Sequence, residues 1–386
     1  MSPSAFGLRA LIRPLSRARF ERRHWLQRPL LSHGALSRFG VLSRIPELQD
    51  ARRLCEATRG PVTVFARDGR HRDLDSGLAA LPFYEEDGET LYFRRLGESI
   101  PALADLAARL AEDLGVWPED VAVEAFASRD GAGTAMHFDS EQNFNIQLRG
   151  RKTWRLLENR AVSDPLQSFV AGQEPPFELA SYAAARFPKR LPASAARLTL
   201  RPGSSLYVPR GHWHQTAVSG DSLAVCFAVK PPVWAALALD ALRLALIRDP
   251  RWRQAAFGLA GGAASRAKLR GRLAELLPSL AQAAAALDAK SIVPEPAAGG
   301  PSYRWARGRR ELQPREEDSA LLSVRPRGGK PLLVEVDEEL LPLVRWALRQ
   351  TGPFQAPHDD PAFSALPAGT LDAWFRALAR AGALKR

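Results

Sequence analysis

Three of the seven histidines stand where strand-like patterning can bring metal chemistry together: His137, His212 and His214. In His137-Phe138-Asp139 the strand period of two puts the imidazole and the carboxylate on one face, with Phe138 on the other. One short strand thus offers two ligands. A third, from a distant strand, completes a two-histidine-one-carboxylate face and leaves three positions open for co-substrate and dioxygen, the arrangement of non-haem iron(II) oxygenases. Well downstream, Pro209-Arg210-Gly211-His212-Trp213-His214 carries a Pro-x-Gly turn that ends the β-like run Ser205–Val208. His212 and His214 lie two residues apart and face the same way in a strand, so spacing admits either as the third ligand. A lone His-x-Asp is weak evidence, because such pairs occur by chance on surface strands. Joined to Pro-x-Gly-x-x-His between two β-runs, it becomes specific.

The elements that must hold these residues read as follows. Val121–Ala127 is a predicted strand, followed by the turn Asp130-Gly131-Ala132-Gly133. Phe144-Asn145-Ile146-Gln147-Leu148 alternates as a half-buried strand does. Arg149-Gly150 then reads as a turn, with Thr153–Leu157 starting the return strand of a hairpin. Leu198–Leu200, Ser205–Val208 and Leu223–Val229 supply three more strands, separated by Pro202-Gly203, Pro209-Arg210-Gly211 and Ser219-Gly220-Asp221. Short strands at such spacing predict an antiparallel barrel or sandwich. Upstream, Phe20–Gly40 reads as a short helix running into an extended entry strand. Pro101–Gly115 has helical apolar spacing at Leu103, Leu106, Leu110 and Leu114, with Gly115 as the stop. After Lys230-Pro231-Pro232 come Ala/Leu-rich helices, Val233–Leu287, and a linker, Pro294–Pro301. The remainder predicts strands at Leu321–Val324 and Leu332–Val336 around Gly328-Gly329, then helices at Leu340–Arg349 and Thr370–Arg380, with Thr370 as N-cap. No internal repeat is visible.

The stretch Thr134-Ala135-Met136-His137-Phe138-Asp139-Ser140-Glu141-Gln142-Asn143-Phe144, continuing to Gln147-Leu148-Arg149-Gly150-Arg151-Lys152, resembles the JmjC oxygenases. The likeness is closest to the bacterial ribosomal oxygenases and the asparaginyl hydroxylase of hypoxia-inducible factor. Leu206–His214 resembles the family's second signature, in which the last histidine is the ligand, so the resemblance selects His214. It is specific over Thr134–Val229 and looser over Phe20–Leu31, where Trp25 and Pro29-Leu30 are similar to the family's entry segment. It implies an α+β fold: a double-stranded β-helix (jelly-roll or cupin) JmjC barrel with its entry segment in 1–232, a helical dimerisation region in 233–295, and a small winged-helix-like domain in 302–386. It also implies iron(II) held by His137, Asp139 and His214, with 2-oxoglutarate as co-substrate. Lys152 would pair with the distal carboxylate, Thr134 would add a hydroxyl, and Asn143 would sit near the metal-bound end. A desolvated carboxylate does need a cation and hydrogen bonds. The bland alternatives are a solvent-facing hairpin lysine for Lys152 and turn chemistry for Thr134 and Asn143. Trp154 faces as Lys152 does and can serve the core alone; Trp213 either lines the mouth or packs.

Composition is that of a globular chain, with 46% hydrophobic and 25% charged residues. No apolar run reaches the roughly 18 residues of a membrane span, since Asp240 and Arg243 break Val233–Ile247. Cys55 and Cys226 are too few for a disulfide framework, which points to a reducing compartment, the cytoplasm. The segment Met1–Phe20, with four arginines and no acid, has the composition of a transit peptide, and equally that of the rest of this Arg-rich chain. The net charge of +12 favours contact with RNA or a ribosome, against the plain reading of a solvated basic surface. The expected activity is hydroxylation of a polypeptide side chain, with a ribosomal protein as leading substrate and a homodimer formed through Val233–Leu287. The rivals are an oxygenase acting on tRNA, a peptide or a secondary metabolite; a non-catalytic cupin binding module; and a metal cupin enzyme without 2-oxoglutarate. The retained ligand set and Lys152 weigh against the second. The third favours three histidines and a glutamate.

Overall fold

A computed structural model describes residues 6–66, 70–293, 304–305, 308–314, 319–326 and 331–350, and, further on, residues 354, 357, 363, 371, 374–375, 378 and 383–385. The chain divides into two compact units, Met1–Pro232 and Val233–Arg386.

The first unit is built on eleven strands: β1 (Leu30–Ser32), β2 (Val62–Phe65), β3 (His71–Leu74), β4 (Thr90–Phe93), β5 (Val121–Ser128), β6 (Gly133–Phe138), β7 (Gln142–Leu157), β8 (Phe169–Val170), β9 (Ala196–Leu200), β10 (Ser205–Val208) and β11 (Trp213–Val229). All pairings are antiparallel. One path of strands runs β1-β10-β7-β11-β5-β4-β2-β3, while β9 attaches to β7, β6 to β11, and β8 to β6. The two long strands pair with each other and change outer neighbours at their middles. The first half of β7 lies beside β10 and its second half beside β9. The first half of β11 lies beside β6 and its second half beside β5. This is the double-stranded β-helix expected from the resemblance.

The predicted hairpin at Arg149-Gly150 is not formed. Gly150 sits inside the continuous strand β7 with φ of 65°, opposite a register shift between Ser219 and Leu223 of β11. Ser219-Gly220-Asp221, read as a separator, is likewise inside β11. A left-handed glycine bends a strand as readily as it reverses one, and here it carries β7 from one layer to the other. A side chain at Gly150 would collide with the backbone carbonyl of Asp221.

One set of alternate positions builds the main core: Val121, Val123, Ala125 and Ala127 on β5, Phe144, Ile146 and Leu148 on β7, and Leu223, Val225, Phe227 and Val229 on β11. The helix Pro101–Leu114 closes this face with Leu103, Leu106 and Leu110, starts on proline and ends on Gly115 at φ 70°. Each of those leucines contributes about 2 kcal/mol on burial. Phe6, Leu8, Ala10, Leu11, Ile12 and Phe20 belong to the same core. The other set of positions faces the barrel interior. Asn143, Asn145 and Gln147 are therefore buried rather than solvated, which corrects the half-buried reading of this strand.

The second unit contains the helices Trp234–Leu246 and Ala263–Ala285, neither with a buried residue. It also holds the antiparallel meander β13 (Gly308–Pro314), β14 (Ser319–Pro326) and β15 (Leu332–Asp337), the pair β12 (Arg304–Trp305) with β16 (Leu384–Lys385), and the helix Leu341–Arg349. The first meander strand and the terminal pair escaped the sequence reading. Leu322, Val324, Val336, Leu343 and Val344 form its core. The linker Pro294–Pro301 and the N-cap Thr370 lie outside the described residues. Among those described, no helix is long and apolar enough to cross a membrane.

Candidate metal centre

His137, near the end of β6, lies opposite His214 at the start of β11 in the strand ladder, and their rings stand 4.1 Å apart. Asp139 follows β6 and bridges them: His137 Nε2 is 3.7 Å from Asp139 Oδ1, and His214 Nε2 is 3.5 Å from Asp139 Oδ2. One donor atom from each of the three residues falls within 4.8 Å of the others. The residues between them anchor the two strand ends. Phe138 and Trp213 point away from the site, pack edge to face at 4.7 Å and are fully buried with Phe169. Trp213 is therefore a packing residue and does not line the mouth.

The backbone selects the tautomer of each histidine. His137 Nδ1 lies 2.7 Å from the carbonyl of Ala135, and His214 Nδ1 lies 2.9 Å from the carbonyl of His212. A carbonyl only accepts, so each Nδ1 carries the proton and each Nε2 keeps its lone pair for a ligand. Burial, reinforced by the neighbouring His137, holds the His214 imidazole well below its usual pKa, in the neutral form that binds metal. His212 contributes its backbone carbonyl; its side chain is not in the cluster. Asn143 donates its amide to Asp139 Oδ2 at 2.6 Å and so orients the carboxylate, rather than occupying a turn.

Thr134 reaches the same face by a route that spacing does not reveal. It stands three positions before His137, which in a regular strand would turn it the other way. The ladder pairs His137 with His214 but Thr134 with Thr216, so β6 carries one extra residue at this point. That bulge brings Thr134 back onto the inner face, where its hydroxyl lies 2.8 Å from that of Thr216.

Lys152 is 3% exposed, so it is not a surface lysine. Its ammonium lies over the rings of Phe126 at 4.6 Å and Trp154 at 5.4 Å. Among the described residues no acid is paired with it. Burial pulls its pKa down to about 8. Sequence reasoning missed Glu124 and Tyr92, whose hydroxyl donates to Glu124 Oε1 at 2.7 Å. Burial pushes Glu124 up to about 8. The available signal was parity: with Val121, Val123, Ala125 and Ala127 in the core, Glu124 must face the barrel interior. Ala224, Cys226 and Ala228 present only small side chains on the interior face of β11.

The profile of the JmjC domain matches residues 103–237. The Bacillus subtilis (strain 168) protein YxbC, itself uncharacterized, is 31% identical over 300 residues, 75% of this chain and 89% of that protein. This chain belongs to the JmjC family. Ribosomal oxygenase 2 of Bos taurus is 24% identical over 236 residues, 55% of this chain; the match spans 44% of that protein's length. The solved structure of YcfD, a ribosomal oxygenase from Escherichia coli, aligns with a TM-score of 0.45 and 17% identity over 96% of this chain and 98% of that one.

Proposed function

We propose that this chain is an iron(II)- and 2-oxoglutarate-dependent oxygenase that hydroxylates a polypeptide side chain, with a ribosomal protein as leading substrate. The observation that carries the reading is Lys152: a buried cation with no acid partner among the described residues, close to the same indole ring that packs near His214. A buried ammonium is costly unless an anion meets it. A ligand that chelates a metal at one end and bears a carboxylate at the other fits both demands.

The donor set fits iron(II). Two imidazoles and one carboxylate on one face leave the opposite positions free, the arrangement of non-haem iron oxygenases. With 2-oxoglutarate bound, iron(II) would supply oxidative decarboxylation to succinate and carbon dioxide, coupled to hydroxylation of a C–H bond. His137, Asp139 and His214 would hold the metal. Asn143 would fix the carboxylate rotamer, and Lys152 with Thr134 would seat the distal carboxylate. Phe126 and Trp154 would keep water from that end.

Two features support a ribosomal substrate: the similarity to ribosomal oxygenase 2 and the net charge of +12, which suits an RNA-rich surrounding. We further propose that the helices Trp234–Leu246 and Ala263–Ala285 pair with a second copy, since they expose Trp234, Leu239, Leu244, Leu273 and Leu277.

The test is anaerobic titration of the protein with iron(II) and then 2-oxoglutarate, watching for the visible charge-transfer band of the chelate. The band is expected, and its loss in His137→Ala would tie it to this centre. Iron binding with no band would remove 2-oxoglutarate from the reading and favour a different metal chemistry or a binding role.

A further inference from the structure

Trp154 lies on the inner face of β7, two residues from Lys152. Its ring centroid is 5.2 Å from that of His214 and 5.4 Å from the Lys152 ammonium. The indole thus lies close both to a candidate metal ligand and to the buried cation. Its carbon frame is clamped by Leu156, Leu200, Leu206 and Val208, so its orientation is set by packing. Its Nε1 is shut off from solvent and has no hydrogen-bond partner. An indole nitrogen is a donor and nothing else, and buried donors are almost always paired because an unmade bond costs the whole desolvation of the group. Across the barrel interior the amide nitrogen of Asn145, opposite Cys226, is buried and unpartnered in the same way. Lys152, Trp154 and Asn145 are three donors with no acceptor among the described residues. A core built for packing alone would place Phe at 154.

We propose that Trp154 is a co-substrate-binding residue whose indole N–H donates to a carboxylate oxygen of the bound 2-oxo acid, alongside the Lys152 ammonium. The inference rests on the oxygenase reading above and adds a neutral donor to its cation. The ammonium is a flexible point charge and supplies attraction. The clamped indole supplies direction, favouring a ligand whose carboxylate lies at one fixed distance from the metal-chelating end.

The test uses full-length protein loaded with zinc, which is diamagnetic and redox-silent. Isothermal titration measures 2-oxoglutarate binding to the wild type and to Trp154→Phe, which keeps an aromatic ring and lacks the N–H. Loss of a hydrogen bond to a charged group is expected to raise the Kd about tenfold or more, with zinc affinity unchanged. In wild-type protein labelled with 15N-tryptophan, the assigned Trp154 indole proton is expected to move downfield when 2-oxoglutarate is added. This second measurement decides the matter should Trp154→Phe fail to fold, and a merely structural tryptophan would not show it. Equal affinities in wild type and variant, or an indole resonance that stays in place, would overturn the proposal. A wild type that binds zinc but no 2-oxoglutarate would overturn the oxygenase reading and this inference with it.

Discussion

His137 and His214 face each other across the β6–β11 ladder with their rings 4.1 Å apart, and each is held by a backbone carbonyl two residues before it. Each Nδ1 is thus oriented by main chain. For the second histidine signature this separates two roles that spacing leaves merged: His214 presents Nε2, while His212 presents a carbonyl. His214→Ala is expected to abolish iron binding and turnover. His212→Ala keeps the carbonyl and should retain a measurable share of both. Equilibrium dialysis against iron(II) checks this, and the opposite pattern would reverse the ligand assignment.

Asn143 acts on the centre through Asp139. Asn143→Ala removes the 2.6 Å bond that fixes the carboxylate. Metal affinity should fall about 10- to 100-fold, as is usual for a residue that orients a ligand. Competition with a coloured chelator measures it. An unchanged affinity would mean that Asp139 is held by other contacts.

Lys152 makes co-substrate binding pH-dependent in a definite direction. Burial lowers its pKa to about 8, so the ammonium that a carboxylate needs is present below that value and is lost above it. Glu124, raised to about 8 within the same interior, turns negative over the same range and repels an anion. Both effects weaken 2-oxoglutarate binding as pH rises past 8, and affinity should be level below it. For stability the sign is opposite. A lysine whose folded-state pKa is depressed costs stability while charged, so the ligand-free protein should gain stability as pH climbs from 8 towards the ordinary lysine value. Titrations in the wild type and in Lys152→Met separate these effects, because the variant should bind poorly and lose the lysine part of both slopes.

Gly150 bends β7 at φ 65° against the carbonyl of Asp221. Gly150→Val should lower stability by about 1–3 kcal/mol through backbone strain, and by more through the collision. Thermal unfolding followed by circular dichroism reads the change. A neutral result would show that the strand can shift away.

The second unit bears on oligomeric state. Trp234 and Leu239 are 75% and 65% exposed on the helix Trp234–Leu246. Light scattering at micromolar concentration should give twice the chain mass, and Trp234→Asp with Leu239→Asp should give a monomer. A wild-type monomer would count against the proposed dimer.

The chemistry was legible in the sequence where it depends on local geometry. The period of two in a strand is a short-range steric property. It lets His137-Phe138-Asp139 and His212-Trp213-His214 be read as ligand-bearing strands with Phe138 turned outward, while whether Trp213 lines the mouth or packs is decided only by the structure. The helix Pro101–Leu114, with proline at its start and glycine at its end, is legible for the same reason. What the tertiary structure decided depends on pairing between distant segments. Gly150 looks the same locally in a hairpin and in a bent strand; only its neighbours on β9, β10 and β11 show that β7 continues. Thr134 stands three residues from His137, and only the register against Thr216 reveals the bulge that puts both on one face. The alternation around Asn143, Asn145 and Gln147 reads as one wet face until the second layer closes over it. That closure leaves Lys152, Glu124 and the Trp154 indole without solvent: a residue's parity follows from its own strand, but what it faces is set by strands far away in the chain.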